Sequence, residues 1–540
     1  MKNQTNYIKV SSYEGKIGQV KKVVLLYSGG LDTSVMIKWI QEVYKAQVIA
    51  LTVDIGQQAD NLEEIRQKAL KLAAVKAYVI DAKDEFANEY IAKGIKANAS
   101  YQGNYHLSTP LGRPLLAKWA VKIAIQEGAD CIAHGCTGKG NDQVRIEGTA
   151  LALMPDIKII APVREWSMGR DEEIEYARKH GIPIKQTKEI PYSWDDNMWG
   201  LTGEGGEIEN PSLIPPLEKI LQICSLPENA PLQPEIIKLE FIKGIPVALN
   251  GKIKKLSDII FELNKIGARH GVGTTIHIED RVIGLKVRGV YEAPAAEIII
   301  SAHKVLEKYV STRVENEFKE EVDIKWGYLC YGGLWYEPLM EDLNAFIDHM
   351  NQKVNGLVTL KLYKGRVDVV AIETPNTIFR EKLATFNVSE AFNQNVSAGF
   401  IELYTLQMRL SQQKEKTVLL TVGKRKNKLL LKEEFIAFKN LGFKIYATYK
   451  TYKFLKNMGI EAILVHKISE FYKKPNLLNL LEANRFDLII NIPTRRKTHP
   501  HEKTDGQIIR EYALKNKTMI LTEISMVKNL IKKLNETHVR

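Results

Sequence analysis

The chain has 540 residues, 45% of them hydrophobic and 26% charged, with a formal net charge of +12. That length holds two to four domains, and that balance belongs to a globular chain with large cores. No apolar run approaches the roughly 18 residues of a membrane span, and the polar start MKNQTNYIKVSSYEGKIGQV is no secretory signal.

Residues 1–20 read as a loose polar leader. The four cysteines, Cys131, Cys136, Cys224 and Cys330, form no CxxC pair, which points to a reducing cytoplasm without a disulfide framework or zinc site. The positive charge is unevenly spread. Residues 416–540 carry 26 Lys+Arg against 11 Asp+Glu, a net of +15, which leaves the first 415 residues at −3. A near-neutral body suits a small-molecule enzyme, and a nucleic-acid partner is disfavoured.

In chain order, strand-like runs at Lys22–Tyr27, Gln47–Val53, Cys131–His134 and Ile157–Ala161 alternate with helical patterns, including one from Asp60 to Val75. This predicts an α/β domain with a parallel sheet over 21–190. Prolines then cluster from Pro191 to Pro234 and the alternation stops, placing a boundary near 190. Residues 191–399 read as α+β, with strand-like runs Lys238–Leu249 and Leu357–Ile372, and an amphipathic helix, Phe400–Gln413, leads through a linker at 400–415. Strand candidates at 417–422, 443–447, 461–465, 486–491 and 517–521, with helices between them, predict a doubly wound α/β domain over 416–540.

Ser28-Gly29-Gly30-Leu31-Asp32-Thr33-Ser34 follows a strand and opens a helix. Glycines let the backbone approach an anion, helix N–H groups point at it, and Ser and Thr hydroxyls add donors. The Walker pattern is absent, and SGG alone reads equally as a capped turn. A second motif, His134-Gly-Cys-Thr-Gly-Lys-Gly-Asn-Asp-Gln-Val-Arg145, places Thr137, Asn141, Asp142 and Arg145 where a zwitterionic amino acid needs carboxylates for its ammonium and Arg or Asn for its carboxylate.

The heptapeptide resembles the pyrophosphate loop of N-type ATP pyrophosphatases. The second motif is similar to the HGxTGKGNDQVR of argininosuccinate synthases. Tyr105 with Arg113-Pro114, Pro191-Tyr192-Ser193, Asp196-Asn197, Glu209-Asn210-Pro211, His270-Gly-Val-Gly273 and the run Glu279 to Glu292 extend the likeness over about residues 20–410. The resemblance implies ATP-dependent ligation of citrulline and aspartate through citrullyl-AMP, releasing AMP and pyrophosphate in arginine biosynthesis, by a homotetramer. It implies ATP contacts from Tyr27, the 28–34 loop, Val53 and Gly135. Citrulline contacts would come from Tyr105, Asn141, Arg145, Ser193, Thr202, Glu279 and Tyr291, and aspartate contacts from Thr137, Asn141 and Asp142. Asp32, Asp142 and Arg145 are the expected catalytic residues. Pro110 and Thr202 stand where the family has serines, and Pro110 withdraws one citrulline contact.

Adenylation turns the inert ureido group into an electrophile with a good leaving group, by positioning and charge stabilisation. Mg²⁺ arrives with ATP, since no side-chain pattern suggests a resident metal. Another SGGxD-type adenylating enzyme, predicting basic residues near the ATP loop that the sequence does not show, and a non-catalytic metabolite sensor stay open as alternatives.

In the tail, cations and hydroxyls follow three strands: Lys424 and Lys428, Thr448 and Thr451, then Thr494, Arg495 and Arg496. Parallel sheets bind ligands at these ends, so an anion site is expected there. The segment resembles the methylglyoxal-synthase-like domain, including the regulatory domain of carbamoyl phosphate synthetase. That resemblance implies a phosphorylated or nucleotide effector. The Gly-Asp of a true methylglyoxal synthase is replaced by Phe471-Tyr-Lys-Lys-Pro475-Asn476, so binding without chemistry is the expectation.

Overall fold

A computed structural model describes residues 11–58, 61–166, 168–183, 191–385, 392–412, 415–494 and 503–538, with side chains to 536. The chain divides into two units, residues 1–386 and 387–540.

The first unit begins with β1 (Lys22–Leu26), β2 (Gln47–Asp54), β3 (Lys76–Asp81), β4 (Cys131–Ala133) and β5 (Lys158–Ile160). They pair in parallel in the order β3-β2-β1-β4-β5. Burial on both faces explains why KVVLL and QVIALTVD are nearly unbroken apolar runs. The order reverses between β1 and β4, which opens a crevice at the carboxyl ends of those strands.

Nine strands follow: β6 (Tyr192–Asn197), β7 (Gly200–Gly205), β8 (Glu235–Ile242), β9 (Ile245–Leu249), β10 (Lys252–Ile253), β11 (Thr274–Asp280), β12 (Lys286–Glu292), β13 (Gly356–Tyr363) and β14 (Arg366–Glu373). They build two antiparallel sheets, β11-β12-β7-β6 and β10-β9-β8-β13-β14. The expected strand runs Lys238–Leu249 and Leu357–Ile372 each fold as a hairpin instead. Lys243-Gly244 and Lys364-Gly365 turn with positive φ, which a run of apolar alternation hides. Arg288 fixes the loop after β7 by donating to the carbonyls of Glu207, Ile208, Asn210, Pro211 and Leu213.

The leader is not loose over its described part. Tyr13 N–H donates to Ile159 at 2.8 Å, Gly15 N–H to Glu165 at 2.8 Å, and Val20 is buried. Its polarity misled, because backbone pairing beside β5 needs no apolar side chains. The Asp60–Val75 pattern forms Leu62–Lys71.

The second unit carries β15 (Thr417–Val422), β16 (Lys444–Thr448), β17 (Ile463–Val465), β18 (Leu488–Ile492) and β19 (Met519–Leu521). They are parallel in the order β17-β16-β15-β18-β19, the same arrangement as the first sheet. The α/β fold expected at both ends of the chain is present. Ahead of it, two short helices, Val396–Tyr404 and Leu406–Gln412, stand where one helix was expected.

Candidate functional site

Two cavities meet in the first unit. The larger, about 1000 Å³, lies at the crevice between β1 and β4 and is lined by Tyr27, Ser28, Gly29, Gly30, Val53 and Gly135 among others. Gly29 sits at φ +80° and a Cβ there would meet Ile65 at 3.0 Å, so only glycine lets the loop turn this tightly. Gly30 caps helix Leu31–Val43 and lines the crevice, so the N-terminus of that helix begins beside it.

The rest of the loop does different work. Ser34 is buried, donates to Gly30 O at 2.6 Å and lies 3.3 Å from the Tyr27 hydroxyl, so it holds the turn from behind. Leu31 is buried, and neither it nor Asp32, Thr33 and Ser34 lines the cavity. Thr33 meets Ser28 hydroxyl to hydroxyl at 3.1 Å. Asp32 faces Glu173, whose carboxyl is pushed up to about 8, first by burial and then by the hydrogen bond and charge of Asp32. Asp32 therefore stands beside the crevice rather than in it. The expected scarcity of cations near this loop is corrected: Lys68 donates to Gly29 O at 2.8 Å, and Lys71 lines the same cavity.

The smaller cavity, about 320 Å³, gathers Tyr105, Thr137, Asn141, Asp142, Arg145, Ser193, Thr202, Glu279 and Tyr291. These are all the residues expected at the citrulline and aspartate positions, drawn from helices Ser108–Glu127 and Asp142–Leu153 and from β6, β7, β11 and β12 or the segments beside them. Pro110 is absent from the lining, whereas Thr109 is in it and donates to Asp195 at 3.2 Å.

Charge is arranged closely here. Asp142 gives one oxygen to Arg113 Nε at 2.9 Å and the other to Arg145 Nη1 at 2.8 Å. Burial opposes its charge, yet Arg113 and Arg145 hold the carboxyl down at about 2. Arg113 also pairs with Asp195, whose carboxyl burial pushes up. Burial likewise raises Glu279, and it pushes the Tyr105 phenol up to about 12.

Two buried polar atoms in this wall have no partner: Nη2 of Arg145 and the hydroxyl of Thr202. An unpaired buried donor costs about 1–3 kcal/mol, which a ligand carboxylate or carbonyl would recover. Asn141 uses one N–H on the Tyr331 hydroxyl at 2.7 Å and accepts Val282 N–H at 3.0 Å, which leaves one N–H for a ligand. His134 and His270 each face a glutamate, Glu147 at 3.0 Å and Glu235 at 2.9 Å; His134 lines the larger cavity, and His270 lines neither.

Arg113, Gly135, Cys136, Trp194 and Asp195 line both cavities. Sequence reasoning marked Arg113 only as part of a motif and passed over Asp195, Lys68 and Tyr331.

In the second unit, Lys428 is buried and donates to Gly423 O at 2.9 Å; burial first, and Lys450 second, lower its pKa. Thr448 is buried at the end of β16. Lys424 and Thr494 are exposed. Thr451 departs from the expected ligand role: its hydroxyl bonds both N–H and C=O of Val422, at 3.2 and 3.3 Å, tying helix Tyr449–Lys456 to β15. Arg495 and Arg496 lie outside the described residues. Asp505 lies 3.4 Å from Ser469, so an acid stands beside the loop after β17 although that loop lacks the Gly-Asp.

A nucleotide-sized crevice sharing a wall with a smaller cavity of paired guanidiniums and carboxylates is the layout of an ATP-using ligase. Family models agree in both halves: the arginosuccinate synthase N-terminal HUP domain matches residues 22–183, the C-terminal domain of that synthase matches 192–411, and the MGS-like domain matches 433–522. Relatives named argininosuccinate synthase include those of Pyrococcus furiosus, 51% identical over 72% of this chain and 94% of its own length, and Geobacillus thermodenitrificans, 49% identical over 72% and 95%. That of Carboxydothermus hydrogenoformans is 46% identical over 73% and 98%. The chain belongs to the argininosuccinate synthase family, and it is a ligase.

Proposed function

We propose that the chain joins citrulline to aspartate in arginine biosynthesis through a citrullyl-AMP intermediate. The observation that supports this is the shared wall of the two cavities, across which an α-phosphate bound in the larger would lie close to a ureido oxygen bound in the smaller. That oxygen attacks the α-phosphorus, the bond to the β-phosphate breaks and pyrophosphate leaves. The aspartate amine, having lost its proton, then attacks the ureido carbon, and the carbon–oxygen bond to AMP breaks. Arg145, with Nη2 unspent, takes the citrulline carboxylate, while Thr137, Asn141 and Asp142 receive aspartate. The 28–30 backbone holds the departing pyrophosphate. Mg²⁺ bound to the ATP phosphates would supply charge neutralisation there.

Purified protein with Mg-ATP, citrulline and aspartate is expected to release AMP and pyrophosphate. Release of ADP and orthophosphate would reject this reading.

The second unit acts in this proposal as a regulatory anion-binding module. Lys428 is buried, and burial first and the Lys450 charge second disfavour its own charge, which favours an anion as counter-charge. Inorganic phosphate and nucleoside monophosphates are the probes. Kinetics of the full chain and of a truncation ending at Lys414 should differ in their response. Equal responses reject regulation.

Homotetramerisation is supported by the apolar side chains Val396, Phe400, Ile401, Leu403 and Tyr404, exposed along one helix. A cytoplasmic setting is supported by the four free cysteines.

A further inference from the structure

Adenylation occurs where the two cavities join, because one reactant occupies each. Of the five residues lining both, Arg113 is the only cation. Its guanidinium is anchored along one edge: Nε and Nη2 meet Asp142, and Nη2 also meets Asp195. Among the described residues Nη1 has no hydrogen-bond partner. Two carboxylates thus fix the plane of the group while its remaining N–H donors stay uncommitted. Asp195 is itself steadied by the Thr109 hydroxyl, one turn before Arg113 on helix Ser108–Glu127. That helix sits hard against the residue that follows β2, since a Cβ on Gly112 would meet Ile55 at 2.9 Å.

We propose that Arg113 is a catalytic residue of the first half-reaction, donating from Nη1 to a non-bridging oxygen of the α-phosphate as the ureido oxygen attacks. Charge builds on those oxygens as the oxygen–phosphorus bond forms and the bond to pyrophosphate breaks. A preoriented guanidinium meets that charge without reorganising. The anchoring carboxylates keep the cation in place before ATP arrives, so the donor is aimed in advance.

The proposal rests on the adenylating reading, and one set of experiments separates the two. Citrulline-dependent exchange of pyrophosphate into ATP is measured for wild type, Arg113→Lys and Arg113→Met, with both diastereomers of ATPαS as alternative substrates. Thermal unfolding and the binding of ATP and citrulline are followed in parallel. Arg113→Met is expected to lose about 10²–10³-fold in exchange, the usual effect of removing one such donor, with affinities changed only a few-fold. Wild type should discriminate between the diastereomers, Arg113→Met should lose much of that discrimination, and Arg113→Lys should keep part of it. A tether serving only Asp142 and Asp195 would leave the diastereomer ratio at its wild-type value, and that outcome in a folded Arg113→Lys overturns the proposal. If wild type shows no citrulline-dependent exchange at all, the adenylating reading falls and takes the proposal with it.

Discussion

The rings of Tyr101 and Tyr331 lie face to face, 3.5 Å between centroids and 1° from parallel. The stack fixes the end of helix Arg313–Tyr331 against the smaller cavity, where Tyr331 supports two of its residues. The Tyr331 hydroxyl accepts from Asn141 at 2.7 Å, its carbonyl accepts from Arg145 Nε at 2.9 Å, and the Arg145 guanidinium lies 4.9 Å from its ring centre.

Tyr331→Phe keeps the stack and the carbonyl and removes only the hydroxyl. A neutral hydrogen bond contributes about 1 kcal/mol, or roughly fivefold. The expected result is a several-fold rise in KM for citrulline and aspartate with a smaller change in kcat. Steady-state kinetics check this, and a kcat effect without a KM effect contradicts it.

Asp142 and Arg145 are in contact, so they will not behave as separate sites. Arg145→Ala should abolish citrulline-dependent exchange, at a cost of about 3 kcal/mol or more. A residue that served only the aspartate position would spare exchange, which needs no aspartate. The shared carboxylate acts on both: Asp142→Asn leaves the buried Arg145 and the half-buried Arg113 guanidiniums facing an amide, and exchange should weaken as well as aspartate capture. Wild-type exchange in Asp142→Asn would mean that Arg113 and Arg145 are held without it.

His303 is fully buried and lies 2.7 Å from Asn98 Oδ1 on one side and 2.7 Å from Asn351 Oδ1 on the other. Both amides are locked in that orientation. Asn98 Nδ2 donates to Glu307 and Asp323, and Asn351 Nδ2 donates to Ile347 and Lys96 carbonyls. Burial pushes the ring toward neutrality, but two acceptors facing two ring nitrogens require two N–H groups. Lys319, Glu307 and Asp323 complete the cluster, and burial pushes Asp323 up to about 7. The ring nitrogens of His303 should show the imidazolium signature by ¹⁵N NMR at pH 7. A neutral tautomer would mean that one amide is turned.

Glu173 has a raised pKa, about 8 against an ordinary 4.5. An acid whose pKa rises on folding favours the fold in its protonated form. Its contribution is complete below pH 4.5 and is lost as pH climbs toward 8. Thermal stability of wild type should therefore fall across that window. Glu173→Gln, which mimics the protonated acid, should flatten the fall and be the more stable protein at pH 8. A parallel decline in both proteins would place the effect elsewhere.

What the sequence revealed and what it concealed divide along physical lines. The glycine loop and the His134–Arg145 run are contiguous, and contiguity is what a sequence displays. Thr202, Glu279 and Tyr291 were found through motif likeness, although nothing local announces that β7, β11 and β12 bring them beside Asn141. Lys68 was missed because a lysine on an amphipathic helix looks like a solvated face, and only docking of that helix brings it to Gly29. Thr451 was over-read, because a hydroxyl at a strand end resembles a ligand donor until the backbone of Val422 claims it. Tyr331 carried no signal: its effect passes through a carbonyl and a hydroxyl that reach Arg145 and Asn141 across about 190 positions of chain.

Both five-stranded parallel sheets belong to one polypeptide. They are synthesised together and in equal number, so cellular expression cannot alter the ratio between them. Two separate proteins would need matched abundance and affinity to keep pace with one another. Here the covalent link sets the local concentration of one unit around the other by chain length alone, and it stays the same however dilute the protein becomes.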